Sequence, residues 1–391
     1  MDKIILEPLK LLVIGKTGVG KSAFCNFFFG EDIFESNVGK PVTKNINSHK
    51  FNLKDIPVEV YDTEGFEVTN IQKIRDDIFN LINHNNIYDT FYLRNYYSNI
   101  TKNIHGIFYL INASSARIES FEIDLIKKFS EEYQLPVSVI LTHSDVATSS
   151  QVLDITTQLE KNKKINIISM CSIQKTLRGG RKSVTDELLK EHHTKLTTLF
   201  LETSGRYYLY SNLFSKSSDI KKMIFKVKDK ILAEVKNANL SIFNLMEWEK
   251  EIEKMSEKIE RDVELISVDF ENIINELENV STVFSPHIKS NMFDDILNEF
   301  TLDIEEEFDI DKLDSVKKIE NNFNTFDEDS GLFSKIGAGL SLAFDVVTAE
   351  STLKDIVNEA FDLIENIFDK KVSMLRNKFK KESWVYQIEK K

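Results

Sequence analysis

An apolar run, Leu11-Leu12-Val13-Ile14, passes directly into Gly15-Lys16-Thr17-Gly18-Val19-Gly20-Lys21-Ser22. The run reads as a strand, the next eight residues as a glycine loop, and the segment from Lys21 to Phe29 as a helix. In that context GxxxxGK[ST] is a phosphate-binding loop, so the chain must open on a strand–loop–helix unit. Gly15, Gly18 and Gly20 let the backbone curl until its N–H groups face an anion. Lys21 is placed to reach β- and γ-phosphates, and the Ser22 hydroxyl suits Mg²⁺. The positive end of the helix dipole adds to the same site. Lys16, Thr17, Val19 and Ala23 complete the nucleotide-binding candidates of this segment.

Glycine and proline divide the rest of the chain. Ten of the 13 glycines and four of the five prolines lie at or before Gly205, and neither occurs from Arg206 to Ser285. Turn-rich alternation thus gives way to breaker-free stretches, which predicts an α/β domain over 1–205 and an all-α domain over 206–391. The first is expected to be three-layered around a mostly parallel sheet. Strands are predicted at Leu9–Ile14, Ser48–Leu53, Val58–Tyr61, Ile104–Asn112, Val137–Thr142 and Ile165–Met170. Helices are predicted at Lys21–Phe29, Ile71–Asn83, Ser120–Tyr133, Gln151–Lys161 and Thr185–Leu201, with an Asn- and Tyr-rich insertion over His84–Asn99.

Composition excludes several roles. A net charge of −13 argues against nucleic acid as the main partner, because phosphate backbones demand Lys and Arg. Two cysteines, Cys25 and Cys171, rule out a disulfide scaffold and fit a reducing cytoplasm. Residues Met1–Pro8 do not read as a signal peptide, and no uncharged run is long enough to span a bilayer. The expected location is cytoplasmic, with peripheral membrane contact left open.

Three further motifs follow the phosphate loop in order. Thr43, in Gly39-Lys40-Pro41-Val42-Thr43, is placed to ligate Mg²⁺ when a γ-phosphate is present. Tyr61-Asp62-Thr63-Glu64-Gly65 ends a strand, so that Asp62 can hold Mg²⁺ through water and the Gly65 N–H can face the γ-phosphate. The catalytic candidates are Lys21, Thr43 and Gly65, and the metal candidates are Ser22, Thr43 and Asp62. Thr142-His143-Ser144-Asp145 follows another strand. The Asp145 carboxylate can accept both N1–H and the exocyclic amine of guanine, a pairing adenine does not offer. His143 stands where Lys is usual and can stack on the base. Ser169, Cys171 and Ser172 are candidates for the last base-contacting loop, Ser169 first among them.

These motifs make residues 9–203 resemble P-loop GTPases of the translation-factor-related class. Gly15–Ser22, Gly39–Thr43, Tyr61–Gly65, Ile104–Ala113 and Arg117-Ile118-Glu119 look like bacterial GTPases near the Era, septin and Toc branch. The resemblance implies a domain that binds GTP and GDP with Mg²⁺ and hydrolyses GTP. It also exposes a departure: Ras-like proteins carry Gln after Asp-x-x-Gly, whereas this chain has Phe66. Slow turnover by an isolated domain follows, and the missing group must come from Glu64, from a partner, or from two G domains meeting face to face. A potassium-assisted route is disfavoured by Gly18, which stands where that class has Asn.

The second half resembles no family. Ile252, Ile259, Ile266 and Ile273 repeat every seven residues beside Trp248, Met255, Val263, Phe270 and Leu277. This suits a long bundle helix or an intermolecular coiled coil. Further helices are predicted at Ser218–Val235, Met292–Phe308 and Thr352–Phe379. Residues Gly331–Phe344 read as a tight turn between packed helices or a membrane-dipping hairpin. Lys370, Lys371, Arg376, Lys378, Lys380 and Lys381, with Phe379, Trp384 and Tyr386, suit a helix C-terminus or an anionic lipid surface. Three roles follow: a GTPase switch engaging a protein effector, a dynamin-like membrane GTPase, or a slow septin-like scaffold. A homodimer through the G domains is the expected assembly.

Overall fold

The computed structural model describes residues 7–30, 47–62, 104–115, 117–162, 165–174, 183–237, 261, 272, 275–276, 278–287 and 350–381. The apolar run lies in β1 (Leu9–Gly15), whose seven residues are all buried. A strand apolar on both faces must sit inside a sheet covered on both sides. β1 occupies that place, between β3 (Ile56–Asp62) and β4 (Gly106–Asn112). With β2 (Asn47–Leu53), β5 (Val137–Thr142) and β6 (Ile165–Ser169) the order is β2-β3-β1-β4-β5-β6. β3, β1, β4, β5 and β6 run parallel, and β2 pairs antiparallel with β3. Lys54 and Asp55, both at positive φ (49° and 68°), make the two-residue hairpin between them.

The described helices are α1 (Lys21–Phe29), α2 (Ser120–Lys127), α3 (Ser149–Leu159), α4 (Asp186–Asn237) and α5 (Glu350–Lys381). Phe24 and Phe28 of α1 meet Phe108 of β4 with ring centroids 5.5 and 5.4 Å apart, and Phe200 of α4 lies 5.9 Å from Phe28. This aromatic cluster seats α1, and with it the loop that feeds α1. The architecture is the α/β P-loop arrangement expected from the sequence.

Two elements depart from expectation. The helix predicted to reach Tyr133 is regular only to Lys127 and then widens into a π turn over Lys128–Glu132. There the Ser130 hydroxyl donates to the Ile126 carbonyl at 2.9 Å and takes the Asn162 amide at 2.8 Å, local bonds that compete with the helical ladder. The helices predicted at Thr185–Leu201 and Ser218–Val235 are one helix, α4, which runs straight through Ser204-Gly205. An interior glycine costs a helix only about 1 kcal/mol. Burial of Leu199, Phe200, Leu201 and Ser204 offsets that, and Ser204 packs where Gly106 leaves room.

Two compact units divide the chain, Met1–Asn212 with Thr282–Ser290 and Glu382–Lys391, and Leu213–Ser281 with Asn291–Lys381. In the second, Ile220, Ile224, Ile231 and Val235 are buried on α4, and Val357, Ala360, Phe361, Ile364, Ile367 and Phe368 on α5. Lys221 pairs with Glu365 (2.9 Å) and Asp369 (2.7 Å), and Lys228 with Asp362 (2.7 Å), so the two helices run antiparallel. No described helix is long and apolar enough to cross a membrane. The heptad positions named above, Met292–Phe308, Gly331–Phe344, Trp384 and Tyr386 lie outside the described residues, as do Ile71–Asn83 and His84–Asn99.

Candidate functional site

The glycine loop forms as its residue types require. Gly18 and Gly20 take left-handed φ of 79° and 91°. At Gly15 the constraint is space: a Cβ there would lie 2.6 Å from the Leu110 carbonyl oxygen, across the β1–β4 ladder. Gly20 caps α1 without a side chain, and α1 has no acidic residue in its first turn. The N–H groups of that turn, including those of Ser22 and Ala23, are therefore open to an anion. Lys21 is buried, its Nζ donating to the carbonyls of Gly15 (2.9 Å) and Lys16 (3.1 Å). Thr17 is half-buried and Gly18 exposed at the loop's outer edge.

β3 ends beside this loop. Asp62 pairs in register with Val13 of β1 and is 3% exposed. Cys25 lies behind both. Burial pushes its thiol well up, the Asp62 carboxylate adds to that, and Lys21 opposes it. A hard cation bound by one or two protein oxygens and a substrate phosphate suits the Ser22 hydroxyl and the Asp62 carboxylate. Thr43, Glu64, Gly65 and Phe66 lie outside the described residues.

The loop after β5 closes the site from the other side. The Thr142 hydroxyl, buried, lies 2.8 Å from the Val19 carbonyl and 3.2 Å from that of Ile111. Thr142 thus holds the phosphate loop from beneath, a role its motif position alone does not disclose. His143 adopts a left-handed φ of 56°. Its Nε2 lies 3.6 Å from where a Cβ on Gly20 would stand. The His143 carbonyl accepts the N–H groups of Val146 and Ala147, both at 3.2 Å, which closes a turn around Asp145. Asp145 Oδ2 is buried with no hydrogen-bond partner among the described residues. The Met170 N–H donates to Leu141 at 2.9 Å and the Ser144 N–H to Met170 at 3.4 Å, bringing the end of β6 alongside. There Ser169 is exposed, Ser172 is half-buried, and Cys171 is buried with its thiol on the Ile173 carbonyl at 2.9 Å.

Sequence reasoning did not anticipate the partner of Lys16. Its Nζ lies 2.8 Å from Glu122 Oε2 and 3.9 Å from Glu119 Oε1, over the Phe121 ring. Glu119 caps α2, and Glu122 returns to the Glu119 N–H at 3.0 Å. The Glu-x-x-Glu spacing is visible in sequence as a capping box. Its contact with the phosphate loop is not, since nothing local links residues a hundred positions apart.

A family profile described as Septin matches residues 7–196. The tRNA modification GTPase MnmE of Clostridioides difficile (strain 630) is 23% identical over 168 residues, covering 43% of this chain and 32% of that protein. The septin homolog spn5 of Schizosaccharomyces pombe is 26% identical over 152 residues, 37% of this chain and 32% of that one. This chain thus spans about a third of the length of these relatives. Among solved structures, Toc33 from Arabidopsis thaliana in complex with Mg²⁺ and GMPPNP overlaps 49% of this chain and 84% of its own, at 13% identity and a TM-score of 0.35.

Proposed function

From a first half that is a P-loop GTPase domain of the translation-factor-related class, we propose a chain that binds GTP and GDP with Mg²⁺ and hydrolyses GTP to GDP and phosphate. Lys21 and the N–H groups from Lys16 to Ala23 hold the β- and γ-phosphates. Ser22, Thr43 and Asp62 would hold the ion, which would supply positive charge to offset that of the phosphates. Asp145 accepts N1–H and the amine of guanine, His143 lies along the base, and Thr142 keeps the loop beneath it in place. Ser169 lines the far edge of the base. The observation that carries this reading is the lysine-braced glycine loop together with a buried carboxylate oxygen, Asp145 Oδ2, that has no hydrogen-bond partner among the described residues.

Water attacks the γ-phosphate. Apolar Phe66 cannot orient that water, so an isolated domain turns over slowly, and a second G domain supplies what is missing across a homodimer. Residues 206–391 then act as a helical effector that reads the loops carrying Thr43 and Gly65 and engages a protein partner. Calorimetric titration of the full chain with GDP and a non-hydrolysable GTP analogue, with and without Mg²⁺, tests the nucleotide reading. Lys21→Ala should abolish the heat, and unchanged affinity in that variant would refute the assignment. Turnover per molecule that stays flat as protein concentration rises would refute activation by pairing.

A further inference from the structure

Lys16 holds an unusual place in the loop. Its carbonyl accepts both Lys21 Nζ, at 3.1 Å, and the Val19 N–H, at 3.4 Å. The peptide on which the phosphate-reaching lysine rests is therefore set by the backbone of Lys16. The side chain of Lys16 leaves the loop and ends on α2. There Glu122, 2% exposed, receives its ammonium at 2.8 Å. The other donors to that carboxylate are fixed by the scaffold. The Glu119 N–H reaches Oε2 at 3.0 Å and the Tyr109 hydroxyl reaches Oε1 at 3.4 Å. Tyr109 lies on β4 in register with Ile14, one residue before the loop begins. A capping box alone needs only the Glu119 N–H. It does not account for a carboxylate sunk almost out of solvent against a cation from the phosphate loop. A buried carboxylate needs that cation, because leaving it alone is far costlier than forming the pair.

We propose that Glu122, acting through Lys16, is a positioning residue that fixes the phosphate loop in its binding geometry from helix α2. The proposal rests on the nucleotide reading above and names a control of that same site. Its sign separates it from simple charge effects. Removing the Glu122 charge makes the surroundings of the phosphates more positive, and on field grounds alone GTP would bind more tightly. Positioning demands the opposite: with the anchor weakened, Lys16 and the peptide beneath Lys21 shift, and GTP binds more weakly.

The test uses the full chain, a fluorescent GTP analogue with Mg²⁺, equilibrium titration, release rates and thermal unfolding. Glu122→Gln and Lys16→Met should each weaken affinity about tenfold, through faster release, as expected for loss of a charge-assisted hydrogen bond. The double variant should lose little more than the worse single, because both act through one contact. Lys16→Arg, which keeps a cation able to reach the carboxylate, should recover most of the loss. Tighter binding by Glu122→Gln, losses that multiply in the double variant, or a lowered melting temperature with unchanged release would each overturn the proposal. Should Glu122→Gln not fold, the contrast between Lys16→Met and Lys16→Arg decides alone, and equal affinities refute it. Wild-type protein that fails to bind the analogue refutes the nucleotide reading itself, whereas normal wild-type binding with an unchanged Lys16→Met refutes only the role of Glu122.

Discussion

Acid should destabilise this protein through His105. The His105 backbone N–H donates to the Lys10 carbonyl at 2.8 Å, and its ring Nδ1 accepts the Lys10 N–H at 2.9 Å. The imidazole thus stands in for a strand carbonyl at the edge of β4 and anchors β1, the strand that delivers the phosphate loop. An accepting Nδ1 must be bare, which assigns the ring proton to Nε2. Tyr208 lies against the ring at 4.9 Å between centroids. Burial, with Lys10 adding to it, lowers the imidazole from 6.5 to about 3. Protonation in the fold would set an N–H against an N–H.

A base whose pKa is lowered by folding binds its proton more tightly when unfolded. Its contribution is whole above about pH 6.5 and drains away as pH falls toward about 3. At about 1.4 kcal/mol for each pH unit, roughly 2 kcal/mol is gone at pH 5 from this residue alone. His192 and His287 are also lowered by burial and act in the same direction. Their share cancels when the wild type is compared with His105→Asn. Asn offers Oδ1 on the same carbon that carries Nδ1 and does not titrate. Urea unfolding of both proteins between pH 8 and pH 5 should show the stability gap narrowing by about 2 kcal/mol as pH falls. Parallel curves would refute the reasoning, because they would mean His105 takes up no more protons on unfolding than Asn does.

Two further outcomes follow from the site. Thr142→Val removes the hydroxyl from the Val19 and Ile111 carbonyls, so it should cost about 1–3 kcal/mol in thermal unfolding and speed nucleotide release. Thr142→Ser should restore both. Asp145→Asn exchanges an acceptor for a donor at the base, so GTP affinity should fall on the order of a hundredfold while xanthosine triphosphate gains, read by competition titration.

Three of the six strands, β1, β4 and β5, are legible in the sequence because nearly all of their residues are buried. Val137–Thr142, all of it inside, is apolar but for Ser138 and Thr142, and such runs are visible one at a time. The phosphate loop is legible for a different reason. Left-handed φ at Gly18 and Gly20 and the crowding at Gly15 leave few alternatives to glycine, so local geometry is written directly as residue type. What depends on contacts between distant segments is not written that way. Gly205 reads as a break between two helices and lies inside α4, because an interior glycine weakens a helix too little to stop one that packing holds. Thr142 reads as part of a base-recognition motif, yet its hydroxyl meets a carbonyl 123 positions away. No pattern in either segment announces that bond.

Those distant contacts share a target. Val19 is held through Thr142 from the end of β5. Lys16 is held through Glu122 from α2. Lys21 ties the carbonyls of Gly15 and Lys16 together from within α1. Loops of small residues lose the most freedom when ordered, and a ligand that had to order this one would surrender binding energy to do so. Here three separate elements carry that cost during folding. The loop is therefore preorganised, and the elements that hold it are also the routes by which a load on β5 or α2 would be felt at the phosphates. Of the two, the α2 route offers the sharper handle. Lys16 is still 30% exposed, so solvent can compete for its ammonium, whereas the Thr142 hydroxyl is sealed beneath the loop.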